Sequence, residues 1–290
     1  MASVPGASQH SIFIATTREP ENGSFGPKRS HVVAHGRIDM SVPPGHQIGR
    51  IERASRGLPN PEKDFASTGF ASYTDAALFS AAVSADTKAR GGRVLVFVHG
   101  YHNTFDAAVY RTTQLVADSG YAGTPILFSW PSAGRTLDYV YDNNSATASR
   151  TALEETLRLV AKSGATRVDI IGHSMGAWVT MEALRQLAIA GDRDLGGKLG
   201  DVVLASPDID IDVFKSQMRH YGQPKHPFFV MVSRDDRALA VSRFIAGDRS
   251  RVGDFAHDAE LASLGVNVMD VTGSESGDPF NHARFADNPV

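Results

Sequence analysis

The sequence has no cysteine, which excludes disulfides, thiolate metal sites and a cysteine nucleophile together. No apolar run approaches the roughly 20 residues that a membrane helix requires, so no membrane span is predicted. Basic residues are scattered and nearly balanced by acidic ones, 29 against 32, for a net charge of −3. This distribution predicts no nucleic-acid interface. The histidines follow no metal-binding spacing, and neither a metal nor a cofactor is predicted.

The first ten residues contain neither the basic region nor the apolar region of a signal peptide. We therefore expect a cytoplasmic protein, or a secreted or periplasmic one if a signal has been removed. The length of 290 residues and the hydrophobic content of 42% suit one large domain, or a domain with a small appendage. The sequence gives no indication of the oligomeric state.

Strands and helices alternate from residue 93 onward. Predicted strands that are continuous apolar runs, with helices between them, indicate a parallel sheet covered on both faces. The predicted strands are 93–98, 125–129, 168–171, 202–205, 228–232 and 266–271. The predicted helices are 105–117, 148–162, the segment from 177, 213–218 and 238–246.

The residues before this alternation are less regular. We predict strands at 11–16 and 31–38, a loop from 43 to 70, and a helix at 74–85. The predicted class is therefore α/β, with residues 1–90 as an N-terminal β extension packed on the sheet. Residues 91–290 form the predicted core, and the two parts are expected to make one structural domain.

A G-x-S-x-G motif occupies residues 172–176. The apolar run before it ends at Gly172, and from Ala177 the apolar residues recur at helical spacing. A strand-turn-helix of this kind lifts the central side chain clear of the sheet, with small residues allowing the sharp reversal. Ser174 is therefore the predicted nucleophile.

A serine hydroxyl needs a base, and the base needs a carboxylate that fixes its tautomer. In a strand-turn-helix architecture these partners follow in the order serine, acid, histidine. The predicted strand 228–232 is followed by Asp235 and Asp236. We predict Asp236 as the acid, with Asp235 as the near alternative and Asp208 as the fallback. The competing interpretation of Asp235 and Asp236 is that they cap the next helix.

Two histidines follow these acids in the chain, His257 and His282. His257 lies in an acidic stretch typical of a loop or surface helix. His282 lies after the last predicted strand, where a final loop returns over the nucleophile. We favour His282 as the base, with His257 as the alternative.

The first strand of the alternating series runs into His99-Gly100. An acyl-transfer intermediate carries negative charge on the former carbonyl oxygen, which needs hydrogen-bond donors. We predict the backbone N–H groups of Tyr101 and Met175 as the two donors. His99 is expected to orient the loop and His102 to line the mouth of the site.

Aromatic residues after the strand 125–129 are candidates for the substrate pocket. Trp130 ends this strand, and Tyr139 and Tyr141 lie in the predicted following loop, which would cover Ser174 as a small cap. We predict substrate contacts for Trp130 and Tyr141, with simple packing as an equal alternative.

Together these residues resemble a bacterial esterase- or lipase-like branch of the α/β-hydrolase superfamily, usually filed as a domain of unknown function. The resemblance covers roughly residues 10 to 290 and is densest from 94 to 190. It implies the α/β-hydrolase fold, Ser174 as nucleophile, Asp236 as acid, His282 as base and no cofactor. The matching segments are 99–105, 128–134, 141–142, 172–176, 205–210, 236–239 and His282.

The functional hypothesis is a serine hydrolase that cleaves carboxylic esters through an acyl-enzyme. No long insertion interrupts the predicted strand order, which argues against a large lid and favours short-chain or soluble ester substrates. Acyl transfer, amide cleavage and lactone cleavage use the same machinery and remain alternatives. A non-catalytic hydrolase-like binding protein is the alternative from a different class.

Overall fold

The computed structural model describes residues 4–135, 138–245, 250–274 and 281–287. The strands are β1 (Ser8–Glu21), β2 (Ser24–Val42), β3 (Ala66–Tyr73), β4 (Arg93–Val98), β5 (Thr124–Ser129), β6 (Arg167–His173), β7 (Leu199–Ala205), β8 (Phe228–Val232) and β9 (Asn267–Asp270). The helices are α1 (Ala76–Ala89), α2 (Phe105–Asp118), α3 (Tyr139–Lys162), α4 (Met175–Ile189), α5 (Ile211–Tyr221), α6 (Arg237–Ile245), α7 (Asp258–Ala262) and α8 (Arg284–Asp287).

One sheet contains these nine strands in the order β3-β2-β1-β5-β4-β6-β7-β8-β9. The six strands from β4 to β9 run parallel to one another, and β1 joins them in parallel beside β5. Only β1, β2 and β3 pair antiparallel in this sheet. The predicted α/β class, the mostly parallel sheet and the N-terminal β extension are confirmed.

Side chains of β4 alternate between the two faces, as strand geometry requires. Val94 and Val96 are fully buried in a large cluster that includes residues of α3, α4 and α5. Phe97 points the other way, into a smaller cluster with α2 and the N-terminal strands. Because both faces are covered by helices, the strands read as continuous apolar runs.

The N-terminal extension is continuous with the parallel part of the sheet. Residues 13–16 of β1 pair with residues 126–129 of β5. Ile12 and Ile14 are completely buried in the smaller cluster, beside residues of α2 and β5. The predicted division of the chain at residue 90 stays a prediction.

Two segments differ from the sequence-based expectation. The predicted loop 43–70 contains the beginning of β3, an edge strand whose half-exposed side chains give no apolar pattern. Helix α3 begins at Tyr139 rather than at 148, so the predicted loop after β5 is wrong. Its first turns are rich in asparagine and serine, which have low helix propensity, and tertiary contacts override that preference. Residue 246, at the end of a predicted helix, lies outside the described residues.

Candidate active site

Ser174 stands alone between β6 and α4, at the end of the sheet where the parallel strands finish. Its backbone has φ 54° and ψ −122°, a conformation that costs a non-glycine residue about 1–3 kcal/mol. The neighbouring glycines make the turn sterically feasible. A Cβ on Gly176 would lie 2.3 Å from the Val98 carbonyl oxygen, and one on Gly100 would lie 2.8 Å from the Ser174 Cβ.

Backbone hydrogen bonds hold this strained residue in place. The Ser174 N–H donates to the Ala205 carbonyl at 2.9 Å, which extends the pairing of β6 with β7 past the strand end. The Ser174 carbonyl accepts from the N–H groups of Asp208, at 3.2 Å, and Ala177, at 3.0 Å. The strain is therefore balanced by hydrogen bonds on both sides of the residue.

His282 and Asp236 form a short hydrogen bond at the same end of the sheet. The distance between His282 Nδ1 and Asp236 Oδ2 is 2.6 Å, and the Asp236 side chain is fully buried. The second carboxylate oxygen accepts from the N–H of Leu239 at 3.0 Å. Asp236 thus caps α6 and also binds His282. The sequence had offered a helix cap and a partner of the histidine as competing interpretations, and one side chain does both. With Nδ1 donating to the carboxylate, Nε2 is the nitrogen left to accept a proton.

Asp235 and Asp208, the two alternative acids, have other partners. Asp235 forms an ion pair with Arg284, whose Nη2 lies 2.7 Å from Oδ2, so it fixes the segment that follows His282. Asp208 is buried among three partners. Its carboxylate accepts from the hydroxyls of Ser242, at 2.6 Å, and Tyr139, at 3.0 Å, and pairs with Arg251 at 3.2 Å.

His257, the alternative base, caps the start of α7. Its ring makes an edge-on contact with Phe255, with 5.4 Å between the ring centroids. It is not among the described residues that line the cleft above Ser174. Of the two histidines, the structure brings only His282 into that cleft.

His173, the variable residue of the motif, supports His282 and was missed in the sequence. Its Nε2 lies 3.0 Å from the His282 carbonyl oxygen, to which it donates. Burial, reinforced by the proximity of His282, holds the pKa of His173 well below its usual 6.5, so the ring is neutral. Its partner lies 109 residues away, and no local pattern could have indicated this contact.

The two predicted oxyanion donors belong to the segments next to Ser174. Met175 is the first residue of α4, and N–H groups in a first helical turn have no carbonyl partner within the helix. The helix dipole adds partial positive charge there. Tyr101 follows Gly100, whose Cα approaches Ser174 closely.

The cleft above Ser174 has a volume of about 270 Å³. This is near the lower end of the range for small-molecule sites. His102 lines the cleft, with φ 59° and its N–H donating to the buried Asp142 at 3.3 Å. The exposed area of its wall is mainly apolar, and the apolar residues that line it include Phe97, Tyr101, Leu239, Val241 and Ala283. Polar and charged side chains, Arg111 and Asp208 among them, line it as well.

Trp130 and Tyr141, the predicted substrate contacts, are not among the described residues that line this cleft. Trp130 is completely buried, where its indole N–H donates to the His99 carbonyl at 2.7 Å. The Tyr141 hydroxyl donates to the Pro27 carbonyl at 2.9 Å, on the side of α3 that faces the N-terminal hairpin. Because the segment is helical, Tyr139 instead reaches the cleft, with its ring 5.5 Å from that of Tyr101.

Neither a metal site nor a membrane helix is found in the part of the chain that the structure describes. Among the described residues, no three or more metal-ligating side chains are grouped closely enough to hold an ion. None of the helices described combines the length and apolar character needed to cross a bilayer.

A comparison with solved structures finds esterase Est22, at 14% identity and a TM-score of 0.40, covering 98% of this chain and 76% of that one. Brefeldin A esterase, a bacterial homologue of human hormone-sensitive lipase, is 14% identical with a TM-score of 0.42, covering 99% and 74%. No curated protein matches the chain. Residues 74–290 match the family described as alpha/beta hydrolase of unknown function (DUF900). The chain therefore belongs to this α/β-hydrolase family.

Proposed function

We propose that this protein is a serine hydrolase that cleaves carboxylic esters through an acyl-enzyme on Ser174. The observation that carries the proposal is the 2.6 Å hydrogen bond between His282 and the buried Asp236, with His282 and Ser174 lining one cleft. A nucleophile, a base and a carboxylate that orients the base are the three groups that such a reaction requires.

In the proposed first step, the Ser174 oxygen attacks the ester carbonyl while His282 Nε2 takes the hydroxyl proton. Asp236 stabilises the imidazolium that forms. The N–H groups of Tyr101 and Met175 donate to the developing oxyanion. The tetrahedral intermediate then collapses, its bond to the alcohol oxygen breaks, and the alcohol leaves with the proton from His282.

In the second step, water attacks the acyl-enzyme and gives its proton to His282. The second tetrahedral intermediate expels the Ser174 oxygen, which recovers its proton, and the carboxylic acid is released. Acyl transfer would follow the same path with an alcohol or amine in place of water. Amide and lactone cleavage differ only in the leaving group.

The cleft favours small acyl groups. At about 270 Å³ and with a mainly apolar wall, it suits a short-chain ester better than a long-chain lipid. We therefore expect the specificity constant kcat/KM to be highest for short acyl chains and to fall as the chain lengthens.

The test is hydrolysis of p-nitrophenyl esters from acetate to palmitate, with wild type and Ser174→Ala in parallel. We expect wild-type activity on the short esters and a loss of at least about 10⁴-fold in Ser174→Ala. A fluorophosphonate probe should label wild type at Ser174 and leave the variant unlabelled. If wild type shows neither hydrolysis nor labelling, the result would instead support a non-catalytic binding protein. Full activity in Ser174→Ala would refute the assignment of Ser174 as the nucleophile.

A further inference from the structure

Strand β1 places a buried arginine beneath the loop that follows β4. Arg18 is only 1% exposed and lies outside the residues that match the family. Burial lowers the pKa of Arg18 to about 10, so it remains protonated at neutral pH. Its guanidinium donates to neutral oxygens, namely Ser129 Oγ and the carbonyls of Gly26, Asn103 and Ser132. Burying a cation is costly, and these four hydrogen bonds together with the charge of Asp142 offset that cost.

A chain of three hydrogen bonds connects Arg18 to the Gly100 carbonyl. Arg18 Nε lies 2.9 Å from Ser129 Oγ, and Ser129 Oγ lies 3.1 Å from His99 Nε2. His99 Nδ1 lies 2.9 Å from the Gly100 carbonyl oxygen. We call this chain, from Arg18 through Ser129 and His99 to Gly100, the relay.

The donors and acceptors of the relay have one consistent assignment. A guanidinium can only donate, so Ser129 Oγ accepts from Arg18 and gives its own hydrogen to His99 Nε2. Burial and the charge of Arg18 lower the pKa of His99 to about 3, and the ring is therefore neutral. Its single hydrogen is on Nδ1 and is donated to Gly100, because a carbonyl only accepts.

The acceptor at the end of the relay belongs to the peptide between Gly100 and Tyr101. In a trans peptide the C=O and the N–H point in opposite directions. Since the C=O points to the buried His99, the Tyr101 N–H points away from His99. An ideal Cβ on the same Gly100 would lie 2.8 Å from the Ser174 Cβ, so this peptide is next to the proposed nucleophile. Hydrogen bonds in a chain polarise one another, so donation to this C=O makes the N–H a stronger donor.

We propose that the relay fixes and polarises the peptide between Gly100 and Tyr101 as an oxyanion-hole donor. The inference rests on the proposed esterase function. Arg18, Ser129 and His99 are then positioning residues, because they act on the oxyanion through Gly100. The N-terminal extension thereby takes part in catalysis as well as in the sheet.

The first test compares Ser129→Ala with Ser149→Ala. Both serines are buried, but Ser149 Oγ binds Thr17 Oγ1, at 2.9 Å, outside the relay. We expect Ser129→Ala to lower kcat about tenfold with little change in KM, which is less than the loss of a donor itself. Affinity for a trifluoromethyl ketone, whose adduct carries the oxyanion, should weaken by a similar factor. Ser149→Ala should change neither value.

The second test is a double-mutant cycle between Ser129→Ala and Arg18→Met. If both act through the relay, the double variant has the kcat of the worse single variant. The relay would be overturned if the losses of kcat in the two single variants added up in the double variant. It would also be overturned if the kcat of Ser129→Ala were no lower than that of Ser149→Ala. If Arg18→Met does not fold, the kcat of Ser129→Ala and its affinity for the ketone are sufficient to test the relay.

The controls separate this proposal from the one on which it rests. If wild type is active, Ser174→Ala is inactive and Ser129→Ala is unimpaired, the relay is rejected and the proposed esterase function stands. A wild type without ester hydrolysis or fluorophosphonate labelling would reject both.

Discussion

Adjacent carboxylates after β8 have separate tasks. Asp236 is buried and binds His282, whereas Asp235 is 42% exposed at its side chain and binds Arg284. The difference arises because the turn into α6 directs one side chain under the cleft and the other outward. The two adjacent carboxylates thus differ in role, since one binds His282 and the other anchors the segment that follows it.

This separation predicts different effects for the same substitution. Asp236→Asn should lower kcat by about 10⁴-fold, because an amide would stabilise the wrong tautomer of His282. Asp235→Asn should keep kcat within about tenfold of wild type, because the bond between Asp236 and His282 stays intact. It should mainly lower the melting temperature, because the buried Arg284 loses its carboxylate partner. Steady-state kinetics and thermal unfolding of both variants check this. Equal losses of kcat would show that Asp236 is not the orienting acid.

At the scale of elements, one histidine joins the segment after β2 to the end of α2. His46 Nδ1 lies 2.8 Å from Glu52, and Nε2 lies 2.6 Å from Asp118 at the end of α2. Burial alone would lower the pKa of His46, but the hydrogen bonds to Asp118 and Glu52 outweigh it and raise the pKa above 6.5. The segment from 43 to 65 is therefore held to α2 by a contact that depends on protonation.

The sign of this shift sets the pH dependence of stability. Because the pKa of His46 is higher in the folded than in the unfolded protein, protonation of His46 stabilises the folded state. This stabilisation is complete below the pKa of the unfolded state, about 6.5, and is lost as the pH rises through the pKa of the folded state. We expect His46→Gln to lower the free energy of unfolding by about 1.5–3 kcal/mol at about pH 5.5 and by less at about pH 9.

Urea unfolding at both pH values measures this difference, and the exposed His226→Gln serves as the matched control. A loss in His46→Gln that is the same at both pH values, or larger at the higher one, would contradict the predicted linkage.

Local elements could be predicted from the sequence, and distant contacts could not. The turn at Ser174 is encoded within a few residues, and the order of strands leads to Asp236 and His282. The faces of Tyr139 and Tyr141 could not be predicted because α3 begins nine residues earlier than its apolar periodicity indicates. The burial of Trp130 depends on its bond to the His99 carbonyl, which lies 31 residues away in the chain. Arg18 is 111 residues from its partner Ser129, a separation that no motif spans.

For the whole molecule, the N-terminal strands supply a large part of the smaller cluster. Ile12, Ile14, Met40 and Val42 are almost completely buried in it. Each such side chain contributes about 1.5–3 kcal/mol when buried. Their sum is comparable to the net stability of a domain, about 5–15 kcal/mol.

We therefore expect a chain of residues 74–290, the portion that matches the family, to lack cooperative unfolding and esterase activity. Circular dichroism melts and p-nitrophenyl ester assays test this. Removal of only the residues before Ser8, where β1 begins, should leave both properties close to those of the full chain. Cooperative unfolding of the 74–290 chain at the wild-type temperature would show that the extension is dispensable for folding.

The position of β1 between β2 and β5 has a consequence for synthesis on the ribosome. The hairpin of β1 and β2 emerges first, whereas β5 begins at Thr124, long after β2 ends at Val42. During that interval one side of β1 has unpaired backbone groups, and an open strand edge attracts other nascent chains. The period of greatest aggregation risk for this protein thus lasts from the exit of β1 until β5 leaves the tunnel.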